Sequence, residues 1–80
     1  MNYKDYVVES KLKKFRKLAK LSQQELAARV GCSDTMIQEI EYNHLAPNLK
    51  LAFAICDELE KELGYPINIT MIFVNYSKFY

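Results

Sequence analysis

Residues 21–41, LSQQELAARVGCSDTMIQEIE, constrain the fold more than any other part of the chain. Ser22 and Glu25 have the spacing of a capping box, so a helix starts there. Leu26, Ala27 and Val30 recur at helical spacing and form its inner face. Gly31 ends it, since glycine enters left-handed backbone without a Cβ penalty. Ser33 can cap a further helix, DTMIQEIEYN, with Ile37 and Ile40 facing inward and Met36 partly so. Asn43 suits the end of that helix, because asparagine tolerates the left-handed conformation. The stretch therefore reads as two short helices flanking a Gly-Cys-Ser turn.

The flanking segments extend the same pattern. SKLKKFRKLAKL carries apolar Leu12, Phe15, Leu18 and Ala19, with Leu21 just beyond, as one helical face. Lys13, Lys14, Lys17 and Lys20 lie elsewhere on it. After Pro47, Asn48 caps a fourth, longer helix that ends at Gly64. Its inner face is Leu49, Ala52, Phe53, Ile55, Cys56 and Leu59. YPINITMIFVNYSKFY differs in character. Asn68 can cap a fifth helix over residues 69–75, whereas the Ile, Val, Phe and Tyr content also suits a strand. The helix is the preferred expectation. With 80 residues, two Gly and two Pro, the chain allows one small, mostly helical domain with a small core.

The net charge of +1 conceals an uneven distribution. Residues 1–21 hold seven basic and two acidic groups, a balance of +5. Residues 22–43 hold one basic and four acidic groups, a balance of −3. The basic charge thus lies on the first helix. Cys32 and Cys56 have neither metal nor redox spacing and read as small apolar residues. One His, no metal-ligand spacing and no Gly-rich phosphate loop argue against an enzyme, a cofactor or a small-molecule ligand. Without a signal-like or membrane-spanning apolar run, the expected location is the cytoplasm.

In order and spacing, LKKFRKLAKLSQQELAARVGCS, then I-x-x-I-E over residues 37–41, then Pro47 and the apolar fourth helix resemble the Cro/repressor (XRE) helix-turn-helix family of phage and bacterial regulators. The resemblance covers residues 10–63. It implies an all-α, five-helix, lambda-repressor-like domain spanning 1–80, with 64–80 as an aromatic extension. It further implies sequence-specific binding to double-stranded DNA as a dimer on palindromic operators. Arg16 and Glu41 match positions that pair across the junction of the first and third helices. Gln23 matches a glutamine that donates to a DNA phosphate.

The third helix is then expected to turn Asp34, Thr35, Gln38 and Glu39 toward bases, opposite Ile37 and Ile40. Gln38 suits adenine, the Thr35 methyl suits a thymine methyl, and an acid can accept from cytosine N4. The two acids depart from the family's neutral or basic preference. Asp34 also has a plain explanation as a negative charge at a helix N-terminus. Phosphate contacts fall to Lys17, Lys20, Tyr42, Asn43, His44 and Lys50, a set poor in cations. The tail residues Tyr65, Ile67, Ile69, Met71, Ile72, Phe73, Val74, Tyr76, Phe79 and Tyr80 exceed what a small monomer can bury. Ile69, Ile72 and Phe73 are expected to cap the core. The remainder reads either as a longer intramolecular core or as an interface joined by Tyr3, Tyr6, Val7 and Val8, and the resemblance favours a homodimer contact through segment 65–80. The resulting expectation is a transcriptional regulator, in particular a repressor. The alternative is the same fold serving as a protein-interaction module or antitoxin-like subunit.

Overall fold

Local capping chemistry sets the helix boundaries in the computed structural model, which describes residues 9–74 and 76. Helix α1 runs Leu12–Leu18, α2 Gln23–Val30, α3 Asp34–Glu41, α4 Leu49–Leu63 and α5 Ile69–Ile72. Ser22 closes a complete capping box: its hydroxyl accepts from the Glu25 N–H at 3.0 Å, and the Glu25 carboxylate accepts from the Ser22 N–H at 3.1 Å. Those bonds from Ser22 hold the Glu25 carboxyl below its ordinary pKa. Ser33, Asn48 and Asn68 each accept from the backbone N–H three residues on, opening α3, α4 and α5.

The helix ends share one device. Gly31 and Gly64 sit at φ +80° after α2 and α4, and Asn43 at φ 64° after α3. The N–H of Cys32 returns to the Ala27 carbonyl, and that of His44 to the Glu39 carbonyl, recapturing carbonyls that the helix ends leave open. After α1 the left-handed place is taken by Lys20, at φ 59°, and the Leu21 N–H returns to the Arg16 carbonyl at 3.1 Å. A lysine there carries a Cβ strain that glycine would not.

The core gathers Leu12, Leu26, Ile37, Ile40, Ile55 and Leu59, all with no exposed surface, around α2, α3 and α4. Three expected inner-face residues are not in it. Leu18 is 55% exposed, Leu49 44% and Phe53 53%. Helix α1 ends at Leu18, and the helical face is completed by Ala19 and Leu21, which are buried beyond it. On α4 the buried stripe runs through Ala52, Ile55, Cys56 and Leu59, so Leu49 and Phe53, four residues apart, share the outer edge. Burial pushes the Cys56 thiol up to about 11, with Asp57 and Glu60 adding to the shift. Cys32 is half-buried, and its thiol is raised by burial too.

The tail is both helix and strand. After α5, residues Phe73–Val74 form β2, antiparallel to β1 (Glu9–Ser10), with Glu9 opposite Val74 and Ser10 opposite Phe73. The Lys11 N–H extends this pairing to the Ile72 carbonyl at 2.7 Å. Helix α5 is therefore shorter than the expected 69–75, and Asn75 lies outside the described residues. Ile67, Ile72, Phe73 and Tyr76 are buried, whereas Ile69 is only half-buried. The Tyr76 hydroxyl donates to the Pro47 carbonyl at 2.8 Å, and its ring lies 5.9 Å from that of Phe73. Much of the apolar tail thus completes the chain's own core. Tyr3, Tyr6, Val7, Val8, Phe79 and Tyr80 lie outside the described residues.

Because Phe73 is fully buried between the tail and the helices, Phe73→Ala should cost about 3–5 kcal/mol of folding stability. That is a large share of what a small domain has. Urea unfolding followed by circular dichroism measures it, and a loss below about 1 kcal/mol would mean the tail is not part of the core. Lys20→Gly should act oppositely, gaining up to about 1 kcal/mol by relieving the left-handed strain, less the added unfolded-state freedom of glycine.

Candidate nucleic-acid interface

A single carboxylate organises the junction of the first three helices. Glu41, the last residue of α3, accepts through Oε2 from Arg16 Nε at 2.6 Å. Its Oε1 accepts from Arg16 Nη2 at 3.2 Å and from Gln23 Nε2 at 3.0 Å. Arg16 Nη1 donates to the Leu21 carbonyl at 2.9 Å, at the entry to α2. The Arg16 and Glu41 side chains are 9% and 2% exposed. Two parallel bonds between the guanidinium and carboxylate planes fix orientation as well as distance. Gln23 is bound into this network through its amide nitrogen. The N–H groups of Gln23 and Gln24, in the first turn of α2, lie outside the helix ladder.

Helix α3 presents an uneven outer face. Ile37 and Ile40 are buried beneath it, and Asp34, Thr35 and Gln38 are exposed. Both acids on this face have internal partners. Asp34 Oδ1 accepts from the Thr35 N–H at 2.9 Å, close to the positive end of the helix. Glu39 is half-buried, with Oε2 3.0 Å from His44 Nδ1. The Thr35 and Gln38 side chains have no hydrogen-bond partner among the described residues and stand free for an external one.

The remaining residues separate into places. Tyr42 is 60% exposed, and its ring lies 6.0 Å from His44. Asn43 Oδ1 accepts from the Ser10 N–H at 2.7 Å, tying the end of α3 to β1. Lys17 and Lys20 are exposed at the C-terminal side of α1. Lys50 lies on the first turn of α4, in a different cleft of about 340 Å³ with Gly31, Cys32 and Asn48. Three couplings have no signal in the chain's linear pattern: Glu39 with His44, Gln23 with Glu41, and Asn43 with Ser10. Each joins residues whose meeting depends on how the helices turn. Among the described residues, no cluster of His, Cys, Asp or Glu can hold a metal, and no helix is long and apolar enough to cross a membrane.

A family model described as Helix-turn-helix matches residues 12–65, which takes in every element from α1 to α4. No curated protein matches the chain.

The junction makes a direct test. Glu41→Gln leaves the Arg16 charge buried without its counter-ion and should cost roughly 3–5 kcal/mol. Replacing both partners together, Arg16→Met with Glu41→Leu, should cost much less than that single change. Urea melts of the two variants decide it: equal losses would mean that the residues act separately.

Proposed function

The chain belongs to the Cro/repressor-like helix-turn-helix family, whose domains are of the DNA-binding, transcription-regulator type, and on that premise we propose that it is a sequence-specific regulator of transcription, acting in the cytoplasm as a repressor. The observation that carries this reading is the outer face of α3. There Thr35 and Gln38 are exposed, without a hydrogen-bond partner among the described residues, on the side away from the buried Ile37 and Ile40. Gln38 has the donor and acceptor needed for the N7 and N6 edge of adenine, and the Thr35 methyl suits a thymine methyl. Asp34 and Glu39 complete the reading face. Their engagement with the Thr35 N–H and with His44 limits the negative charge they turn toward a polyanion.

Backbone phosphates fall to the first-turn N–H groups of α2 at Gln23, to Lys17 and Lys20, and to Tyr42, Asn43, His44 and Lys50. In this reading the protein is a homodimer through residues 65–80, matching two half-sites of a palindrome. Tyr65, 42% exposed, and half-buried Ile69, Met71 and Val74 are the described apolar tail residues available to that contact. A second reading, a protein-interaction module or antitoxin-like subunit, draws on exposed Leu45, Leu49 and Phe53. A salt titration on random duplex separates the two, since only DNA binding weakens steeply with salt.

Selection on randomised duplex should return a preferred site for the parent protein. Gln38→Ala should relax choice at one base pair, at a cost of about 1–3 kcal/mol. Glu39→Gln removes a carboxylate from the reading face and frees His44, so affinity for random DNA should rise. Identical preferred sites and random-DNA affinities for parent and both variants would show that α3 does not face DNA. Sedimentation equilibrium should find a dimer, and a monomer at high concentration would rule out the tail contact.

A further inference from the structure

Glu39 and His44 are tied together twice. After α3 the backbone turns at Asn43, φ 64°, and the His44 N–H returns to the Glu39 carbonyl at 2.9 Å. The same turn lays the imidazole against the Glu39 side chain, with Nδ1 3.0 Å from Oε2. Asn43 is fixed in its turn by the Ser10 N–H, which donates to Oδ1 at 2.7 Å. The place of the ring thus follows from a tethered left-handed turn as well as from the side-chain contact. Gln38 stands three residues after Thr35 on α3, and Glu39 four, so all three share one face of the helix.

Among the described residues, Glu39 is the one charged group in ion-pair distance of His44. Tyr42 is the other titratable neighbour, its ring 6.0 Å from the imidazole and tilted by 44°. On the β1 side, reached through Asn43, the acid is Glu9, which forms no ion pair with the ring. An ionised carboxylate only accepts, so the contact with Glu39 puts a proton on Nδ1. In the neutral ring that bond selects the tautomer and leaves Nε2 bare. Neither Nε2 nor Glu39 Oε1 has a hydrogen-bond partner among the described residues. The bond to Nδ1 therefore restrains the carboxylate and leaves Oε1 as its open acceptor. A side chain already held has less rotamer freedom to lose on meeting a ligand.

We propose that His44 is the positioning residue for Glu39: its Nδ1–H holds Oε2, and Oε1 is presented as the acceptor for a base-edge amino group, cytosine N4 in the major groove. The inference rests on the DNA-binding reading above. It carries a proton with it. With the ring neutral, the pair has one negative charge. A proton taken from solvent at Nε2 leaves the pair with none. Beside a polyanion the protonated pair is the more stable. Docking of a duplex therefore takes up as much as one proton, and affinity falls as pH rises through the ordinary imidazole range, roughly pH 5 to 8. His44 is the chain's one histidine, so this dependence can be assigned by substitution.

The test uses the full chain with His44→Asn, His44→Ala and Glu39→Ala. His44 is exposed and outside the core, so its replacement retains the fold. Asparagine places Nδ2 where the ring has Nδ1 and keeps the donor, but it takes up no proton. Duplex binding is followed by fluorescence anisotropy at fixed salt across that pH range, and base choice by selection on randomised duplex. The parent's affinity should fall with rising pH by at most about tenfold per unit, the limit for one proton. His44→Asn should flatten the profile and keep the parent's preferred site. His44→Ala should flatten it too, and should lose the same base preference that Glu39→Ala loses. A parent profile no steeper than that of His44→Asn, or an unchanged preferred site in His44→Ala, overturns the proposal while the DNA-binding reading stands. If the parent binds no duplex at any pH, both fall. The pair is also checked without DNA, by long-range proton–nitrogen NMR of the neutral ring at about pH 9. The parent should carry its ring proton on Nδ1, and Glu39→Ala should shift it toward Nε2. A parent ring protonated on Nε2, with no change in Glu39→Ala, overturns the proposal whatever the duplex does.

Discussion

The fold depends on the Glu41 carboxylate being shared between Arg16 and Gln23. One acid collects a guanidinium from α1 and an amide from α2, and it sits at the last residue of α3. Arg16 also donates to the Leu21 carbonyl, so the chain entering α2 joins the same cluster. Apolar packing between these helices brings them together but leaves their mutual rotation loosely defined. The planar fork of Arg16 against a carboxylate supplies the missing direction. Because the pair is nearly dry, its net contribution over a well-packed apolar pair is small, and its main effect is to specify one arrangement. That arrangement sets which side of α3 faces outward.

Around this junction, neutral hydrogen-bonding side chains and unpaired cations lie on different helices. Thr35 and Gln38 offer neutral groups, and the two acids beside them are drawn into local contacts. Lys13, Lys14 and Lys17, which form no ion pair among the described residues, stand on α1. This division agrees with a general property of protein–DNA contacts: phosphates position the protein and base edges specify the site.

Most of the helical architecture was legible in the sequence because caps are local. Ser22 with Glu25, Gly31, Ser33, Asn43, Asn48 and Gly64 each act within a few residues of a helix end, and each stands at one in the fold. Lys20 was not legible as a terminator, since its left-handed backbone carries no residue-type signal. The burial of α4 was only partly legible. Leu49 and Phe53 extend the apolar stripe by spacing, yet α2 and the tail cover the neighbouring stripe instead. At the site, the positions of Thr35 and Gln38 follow from helical spacing against Ile37 and Ile40. The partners of Glu39, Gln23 and Asn43 do not, because His44, Glu41 and Ser10 come within reach only once the chain has turned.

The pairing of β1 with β2 also bears on the order of folding. It joins Ser10 to Phe73 and Glu9 to Val74, residues separated by nearly the whole chain. The α2–α3 contacts, by contrast, close over a few residues. Loop-closure entropy makes such a distant pairing costly to form in the absence of the docked helices. The same economy runs in reverse: two residues on each strand offer few hydrogen bonds to resist opening, and exchange of the β1 and β2 amides should proceed through partial unfolding. Ser10 N–H, however, is held by Asn43. Strain or opening at this clasp is therefore felt by the residue that follows α3, which makes the clasp a thermodynamic link between the β1–β2 pairing and the end of that helix.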